Sequence, residues 1–222
     1  MAELFIRSVG DETDIVQKEM YTFEDKGHRL LCLRPEGTAA VVRSFIENNM
    51  VSEGLPRQVY YIGPMFRYER PQTGRQRQFH QFGAELIGSS SPLADAEMIW
   101  MSVFLLEELR LHRYTLHINM LGCQKDRESY KAALKDYYKD KLGAVCPDCR
   151  RRYETNVLRL LDCKVDACQP IKEKAPELTE FLCPECRDHK GQVSQILIEN
   201  NIDAIWNTRL VRGLDYYTGI VF

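Results

Sequence analysis

The sequence predicts an α+β fold: a predominantly antiparallel sheet flanked by helices, with a helical insertion subdomain. Three observations predict it. Two segments of period-2 alternation flank a basic loop between Phe66 and Glu85. Apolar residues recur at helical spacing after Pro35 and after Ser91. A charged, cysteine-rich stretch without strand pattern then separates these elements from a last strand-like segment.

The paired strands carry the most informative pattern. Alternate residues of a strand point the same way, so Met65, Arg67 and Glu69 share a face on the first, and Arg77, Phe79, Gln81, Gly83 and Glu85 share one on the second. That row is polar where a core face would be apolar, so it reads as a site. A plainer reading pairs Arg67 and Glu69 with Glu85 and Arg77 as a surface ladder. The opposite row, Ile62, Pro64, Phe66, Phe82, Ala84 and Leu86, is apolar and is expected to pack on helices; His80 falls on that side and reads as structural. Gly63 and Gly83 interrupt the polar row, where a missing side chain lets a ligand approach the backbone.

The other elements follow in order. Leu30 to Arg34 reads as a strand, and Pro35 opens a helix to about Asn48, placing Glu36 and Thr38 at a helix start. Ser91 and Pro92 begin a longer helix to about Leu109, whose stripe of Ala96, Ile99, Val103, Leu106 and Arg110 is expected to cover the sheet. Tyr114 to Asn119 alternates as a strand. Helices are expected from Arg127 to Lys141 and from Asp188 to Glu199, with the cysteines between them. Ile202 to Trp206 returns to strand, and Arg209 to Phe222 reads as a strand broken at Gly213 and resumed at Tyr217. The organisation expected is a core over 1–124, an inserted cysteine-rich subdomain over 125–200, and a return to the core over 201–222. The last apolar run reads as cut mid-domain.

Composition narrows the function. With 222 residues, 44% hydrophobic, 28% charged and a net charge of -2, the chain is no basic nucleic-acid coat, so phosphate contacts must come from local clusters such as Arg67, Arg70, Arg75 and Arg77. No apolar run approaches the roughly 18 residues of a membrane span, and the N-terminus lacks a signal-peptide pattern. A cytoplasmic protein with no membrane partner is expected. No glycine-rich dinucleotide or P-loop fingerprint occurs.

Six of the eight cysteines crowd between Cys146 and Cys186. Cys146, Cys149, Cys183 and Cys186 form two C-x-x-C knuckles, a spacing that lets paired thiolates meet one structural zinc ion. Cys163 and Cys168 lie between them as competing ligands, His189 is close enough in sequence to substitute, and free thiols in a small helical core are the alternative. Cys32 and Cys123 read as small buried apolar residues. A second polar cluster, Leu210-Val-Arg-Gly-Leu-Asp-Tyr-Tyr, sets Arg212 and the phenols of Tyr216 and Tyr217 around a glycine break.

Phe66-Arg-Tyr-Glu-Arg with Gly74-Arg-Gln-Arg-Gln-Phe-His-Gln resembles motif 2 of the class II aminoacyl-tRNA synthetases, here spanning 59–87. Leu33-Arg-Pro-Glu-Gly-Thr and Leu210-Val-Arg-Gly-Leu-Asp-Tyr-Tyr resemble the histidine-specific signatures of the histidyl-tRNA synthetase family. The resemblance covers nearly the whole chain and is weakest in the cysteine-rich stretch.

The resemblance implies a ligase that activates L-histidine with ATP and Mg²⁺ and transfers it to tRNA(His), working as a homodimer in its full-length form. Arg67 would hold the ATP α-phosphate and the amino-acid carboxylate, with Arg212 as second cation and Arg75 on the distal phosphates. Phe79 would stack on adenine. Glu36, Thr38 and Gln81 would bind the α-amino group, and Glu85, Tyr216 and Tyr217 the imidazole. Arg70, Gln72 and Arg75 would touch the tRNA acceptor stem. Motif 1, motif 3 and an anticodon-binding domain have no counterpart in this sequence, so the chain alone is expected to be inactive in histidine-dependent pyrophosphate exchange. The rival readings are a synthetase-like regulatory subunit of ATP phosphoribosyltransferase, which the basic loop disfavours, and a zinc-ribbon nucleic-acid module, which leaves the hairpin unexplained.

Overall fold

A computed structural model describes residues 2–10, 13, 15–211 and 217–222, and these fall into two compact units. The first holds the described residues up to 89. Helix α1 (Ala2–Val9) buries Phe5 and Val9 with Ala39, and Cys32 is partly buried against them. Strands β1 (Thr22–Glu24) and β2 (Leu30–Cys32) pair antiparallel. Their turn is held by the Asp25 carboxylate, which accepts the N–H groups of Gly27 and Arg29 at 2.8 and 3.0 Å.

Helix α2 (Thr38–Glu47) starts later than the proline signal suggests. Pro35, Glu36 and Gly37 stay outside it, because the Glu36 carboxylate accepts the Ala39 N–H at 3.0 Å and satisfies one of the helix's orphan amides from its own side chain.

Strands β3 (Arg57–Phe66) and β4 (Gln78–Ile87) pair along their whole length, with Val59 opposite Glu85, Tyr61 opposite Gly83, Gly63 opposite Gln81 and Met65 opposite Phe79. The expected faces are present, but their burial is reversed. Ile62 and Phe82 on the apolar row are 73% and 55% exposed and His80 is exposed too, while Met65 on the polar row is 2% exposed. The cause is local: the segment from Arg34 to Thr38 crosses the polar row, not the apolar one, so within this unit the polar row faces inward.

The second unit holds the described residues of 90–211 and 217–222. Helix α3 (Pro92–Glu108) begins where expected, with Ser91 Oγ accepting the Leu93 N–H at 3.2 Å. Strand β5 (His117–Met120) is shorter than the alternation from Tyr114 implies. It leads into helix α4 (Gln124–Lys139), the short helices α5 (Pro147–Thr155) and α6 (Gln169–Glu173), helix α7 (Pro184–Glu199), and strands β6 (Ile205–Trp206) and β7 (Ile220–Val221). Strand β5 lies centrally, parallel to β6 and antiparallel to β7. The described strands thus form three small sheets, antiparallel except for the β5–β6 pair.

The α3 stripe divides its contacts. Ala96, Ile99 and Val103 pack with Ile118 of β5 and with Val193 and Leu197 of α7, so the helix covers one strand and one helix. Arg110 lies past the helix end at φ 58° and does not extend the stripe. A separate core lies under α4, where Tyr130, Leu134 and Tyr138 at four-residue spacing bury against Leu160, Leu161, Leu178 and Leu182. The Tyr130 hydroxyl donates to the Pro176 carbonyl at 3.0 Å, so its burial leaves no polar atom stranded. No strand occurs among the described residues between Met120 and Ile205.

Candidate functional site

The polar row of the β3–β4 hairpin is roofed by the chain that links β2 to α2. Arg34 Nε donates to the Pro64 carbonyl at 2.6 Å, and a Cβ on Gly63 would lie 2.7 Å from the Arg34 guanidinium. The Tyr61 ring lies close to two glycines. A Cβ on either Gly37 or Gly83 would fall 2.3 Å from its ring, so both must lack a side chain for the roof to close. Neither this use of Tyr61 nor the position of Arg34 was legible in the residue pattern.

Under this roof the first unit gathers several sequence-predicted residues. Thr38 Oγ1 donates to Glu85 Oε1 at 2.7 Å, joining the helix start to the strand. Glu36 is 5% exposed, and Gln81 Oε1 is buried without a hydrogen-bond partner. Burial pushes the Glu36 carboxyl above its ordinary range, against the Ala39 and Thr38 hydrogen bonds and the Arg67 charge. Burial also raises Glu85; the Thr38 hydroxyl opposes that shift and the Glu36 charge adds to it. Neither carboxylate has an ion-pair partner among the described residues. The row therefore offers acceptors and negative charge to a ligand rich in donors.

The arginines sit at the other end of the hairpin. Arg67 Nε donates to the Pro35 carbonyl at 2.9 Å, and its guanidinium lies 5.4 Å from the Phe79 ring centroid. Arg75 pairs with Glu69 at 3.0 Å, and Arg67 approaches the same carboxylate only to 4.0 Å. The alternative, a surface ladder reaching Glu85, does not form, since Glu85 faces Val59 and bonds Thr38. Beyond the ladder, Gln72 and Arg75 close a tight turn through Gly74 at φ 79°, leaving Arg70, Gln72 and Arg75 exposed. Tyr217 belongs to the second unit, where it packs on the core under α4. Arg212 and Tyr216 lie outside the described residues.

The cysteines sort differently from the expected pairing of knuckles. Cys146 and Cys149 meet Cys163 and Cys168, whereas Cys183 and Cys186 meet Cys123 and Asp126; in each quartet the ligand atoms all lie within 4.8 Å of one another. His189 joins neither and bonds Asp95 at 2.7 Å. Cys123, expected to be a buried apolar filler, is only partly buried and heads α4. The reason is a shared local geometry. Cys123, Cys146 and Cys183 are each the N-cap of a helix, and each is followed three residues later by Asp126, Cys149 or Cys186. The C-x-x-D at Cys123 echoes the two knuckles and was the available signal.

Asp126 closes its quartet by hydrogen bonding. Its carboxylate accepts the N–H of Cys123 at 3.2 Å and that of Cys183 at 3.0 Å, capping α4 and α7 together. Burial works against its ionisation, but hydrogen bonds from the Cys186 thiol and those two amides outweigh it and hold the carboxyl below its ordinary value. Asp126→Ala is expected to destabilise the second unit by about 1–2 kcal/mol, the scale of a lost cap. Urea unfolding of both chains checks this, and an unchanged midpoint would remove Asp126 from the caps.

Comparison with known proteins gives a consistent set of matches. A family model described as histidyl-tRNA synthetase matches residues 3–222. Histidine–tRNA ligases of Thermosipho melanesiensis and Fervidobacterium nodosum are 62% and 58% identical over 220 residues, covering 99% of this chain and 52% of each relative. The chain thus spans about half the length of the curated relatives it matches. The crystal structure of apo S. aureus histidyl-tRNA synthetase superposes with a TM-score of 0.74 at 38% identity, covering 98% of this chain and 48% of that one. An ATP phosphoribosyltransferase regulatory subunit/histidyl-tRNA synthetase from Bacillus halodurans shares the fold, with a TM-score of 0.65 at 19% identity.

Proposed function

The chain belongs to the histidyl-tRNA synthetase family, and from that premise we propose that it supplies the histidine pocket and much of the adenylation site of a histidine–tRNA ligase. In the reaction, the histidine carboxylate attacks the α-phosphorus of ATP, pyrophosphate leaves, and histidyl-adenylate forms. A ribose hydroxyl at the tRNA terminus then attacks the acyl carbon, and AMP leaves.

The observation that carries this reading is the acceptor set of the buried Glu36, the half-buried Glu85 and the buried Gln81 Oε1. Histidine offers what such a cluster lacks: an ammonium with three donors and an imidazole with one or two. Glu36, Thr38 and Gln81 take the α-amino group, and the unpartnered Gln81 oxygen gains a donor. Glu85, oriented by Thr38, takes the imidazole; Tyr216 and Tyr217 are assigned to it by motif alone. A pocket of this kind rejects amino acids that leave its acceptors unpaired.

Arg67 takes the α-phosphate and the histidine carboxylate, a role supported by its anchoring through Nε to the Pro35 carbonyl. Arg212, assigned by motif, is its counterpart. Fixed guanidinium groups stabilise the charge that builds on phosphorus without reorganising as it forms. Phe79 takes adenine on its ring face. Mg²⁺ accompanies ATP as part of the substrate complex, and Arg75 takes the distal phosphates. Exposed Arg70, Gln72 and Arg75 present the loop to the acceptor stem of tRNA(His). Family membership also supports a core over 1–124 and 201–222 interrupted by 125–200, a homodimeric parent, and a cytoplasmic setting. Among the described residues, no helix is long and apolar enough to cross a membrane.

Thermal-shift measurements with histidine, ATP and both test the proposal. Stabilisation by histidine, deepened by ATP with Mg²⁺ and absent with leucine or lysine, is the expected result. No response to histidine would refute the pocket. A response to histidine that ATP leaves unchanged would favour the regulatory-subunit reading.

A further inference from the structure

We propose that the quartet Cys146, Cys149, Cys163 and Cys168 is a closed tetrahedral Zn²⁺ site that staples the cysteine-rich segment. Four thiolates at one point have a required size. With Zn–S near 2.3 Å, the edge of the sulfur tetrahedron is about 3.8 Å. Cys146 Sγ and Cys163 Sγ lie 3.9 Å apart, and every pair in the quartet lies within 4.8 Å. The same distances are far too long for a disulfide, whose sulfurs sit at about 2.05 Å.

The surroundings have the features of a built site. Cys149, Cys163 and Cys168 are buried at 1–3% exposure and Cys146 is partly buried. The Cys146 amide donates to Cys168 Sγ at 3.2 Å, an N–H···S contact that favours the thiolate. Lys172 Nζ and Gln169 Nε2 both donate to the Cys163 carbonyl, at 3.0 and 2.9 Å, fixing the turn between the last two ligands and bringing a positive charge beside an anionic cluster. In sequence the ligands run C-x2-C-x13-C-x4-C, a pair of short loops joined by a longer one. With four protein ligands there is no open position, so the ion is structural.

The segment has need of such a link. Between α4 and α7 the regular structure is limited to α5, the five-residue α6 and 3-10 segments of three to six residues, so few backbone hydrogen bonds hold one piece to the next. The quartet joins the start of α5, the end of the turn at Val157–Asp162 and the start of α6. In the other quartet the Asp126 carboxylate accepts two backbone amides, so one of its four members already has polar partners.

The test is metal analysis of the 222-residue chain purified without chelator. About one equivalent of zinc is expected per chain. It should be lost in Cys149→Ser/Cys163→Ser and retained in Cys186→Ser. Cobalt substitution of the unaltered chain guards against a variant that fails to fold. The tetrahedral d–d bands and strong thiolate-to-cobalt charge transfer of an all-sulfur site should appear and vanish on adding zinc. Less than half an equivalent of zinc, zinc lost from Cys186→Ser but kept in the double variant, or a mass lower before reduction than after it would each overturn the site.

Discussion

Arg67→Ala is expected to lower histidine-dependent pyrophosphate exchange by about 10²- to 10³-fold, measured in a synthetase that carries this chain as its catalytic core. The size follows from preorganisation. Arg67 Nε is committed to the Pro35 carbonyl at 2.9 Å, which fixes the plane of the guanidinium, and the Glu69 carboxylate stands off at 4.0 Å. A group held this way meets negative charge developing at the α-phosphorus without first leaving another partner. Arg67→Lys should recover only part of the rate, because an ammonium cannot hold the Pro35 carbonyl and an oxyanion in one plane. The fold should suffer little, since the substitution removes one hydrogen bond to a carbonyl. Wild-type exchange together with a lowered melting temperature would make Arg67 a structural anchor and sink the assignment.

The hairpin was legible because a period of two leaves little freedom. The alternation puts Gln81 and Glu85 on one strand face but leaves their register open; the structure sets them opposite Gly63 and Val59. What the face would meet was not legible. Ile62 and Phe82 look like a core row in sequence, yet the roof falls on the other side, because Gly37 and Gly83 together make room for Tyr61 there. Such a fit between distant glycines and one ring has no local signature. The same limit applies to the cysteines: C-x-x-C spacing identifies a helix-capping knuckle, but which knuckle meets which thiol depends on how α4, α5 and α7 start relative to one another. The late start of α2 has a simpler cause, since the Pro35 signal was overridden by the Glu36 side chain bonding the Ala39 amide. Helix α1 carries an amphipathic pattern, burying Ala2, Phe5 and Val9 along one face.

Glu85→Gln is expected to do two opposite things: weaken histidine binding by roughly 10- to 150-fold and raise the stability of the ligand-free chain. The first effect is the loss of a charge-assisted hydrogen bond in a buried pocket, about 1.5–3 kcal/mol, at about 1.4 kcal/mol for each factor of ten. The second follows from the direction of the carboxyl's shift. Burial raises the Glu85 pKa above its unfolded value, the Thr38 hydroxyl partly offsets this, and Glu36 adds to it. Between the unfolded and folded values the native state binds more protons, so this group costs stability as pH rises through that window and the cost persists at neutral pH. Glutamine keeps the shape and an oxygen for Thr38 while removing the charge. Melting curves from pH 4 to 8 should therefore show a higher, flatter profile for the variant, with the wild-type difference closing as pH falls. Calorimetry with histidine supplies the other half. A variant that melts lower and binds histidine unchanged would mean that Glu85 serves the Thr38 contact alone, and the imidazole would need another partner. The expected pairing of weaker binding with greater stability separates a carboxylate held ready for a cationic or donor-rich ligand from one that merely ties a helix to a strand.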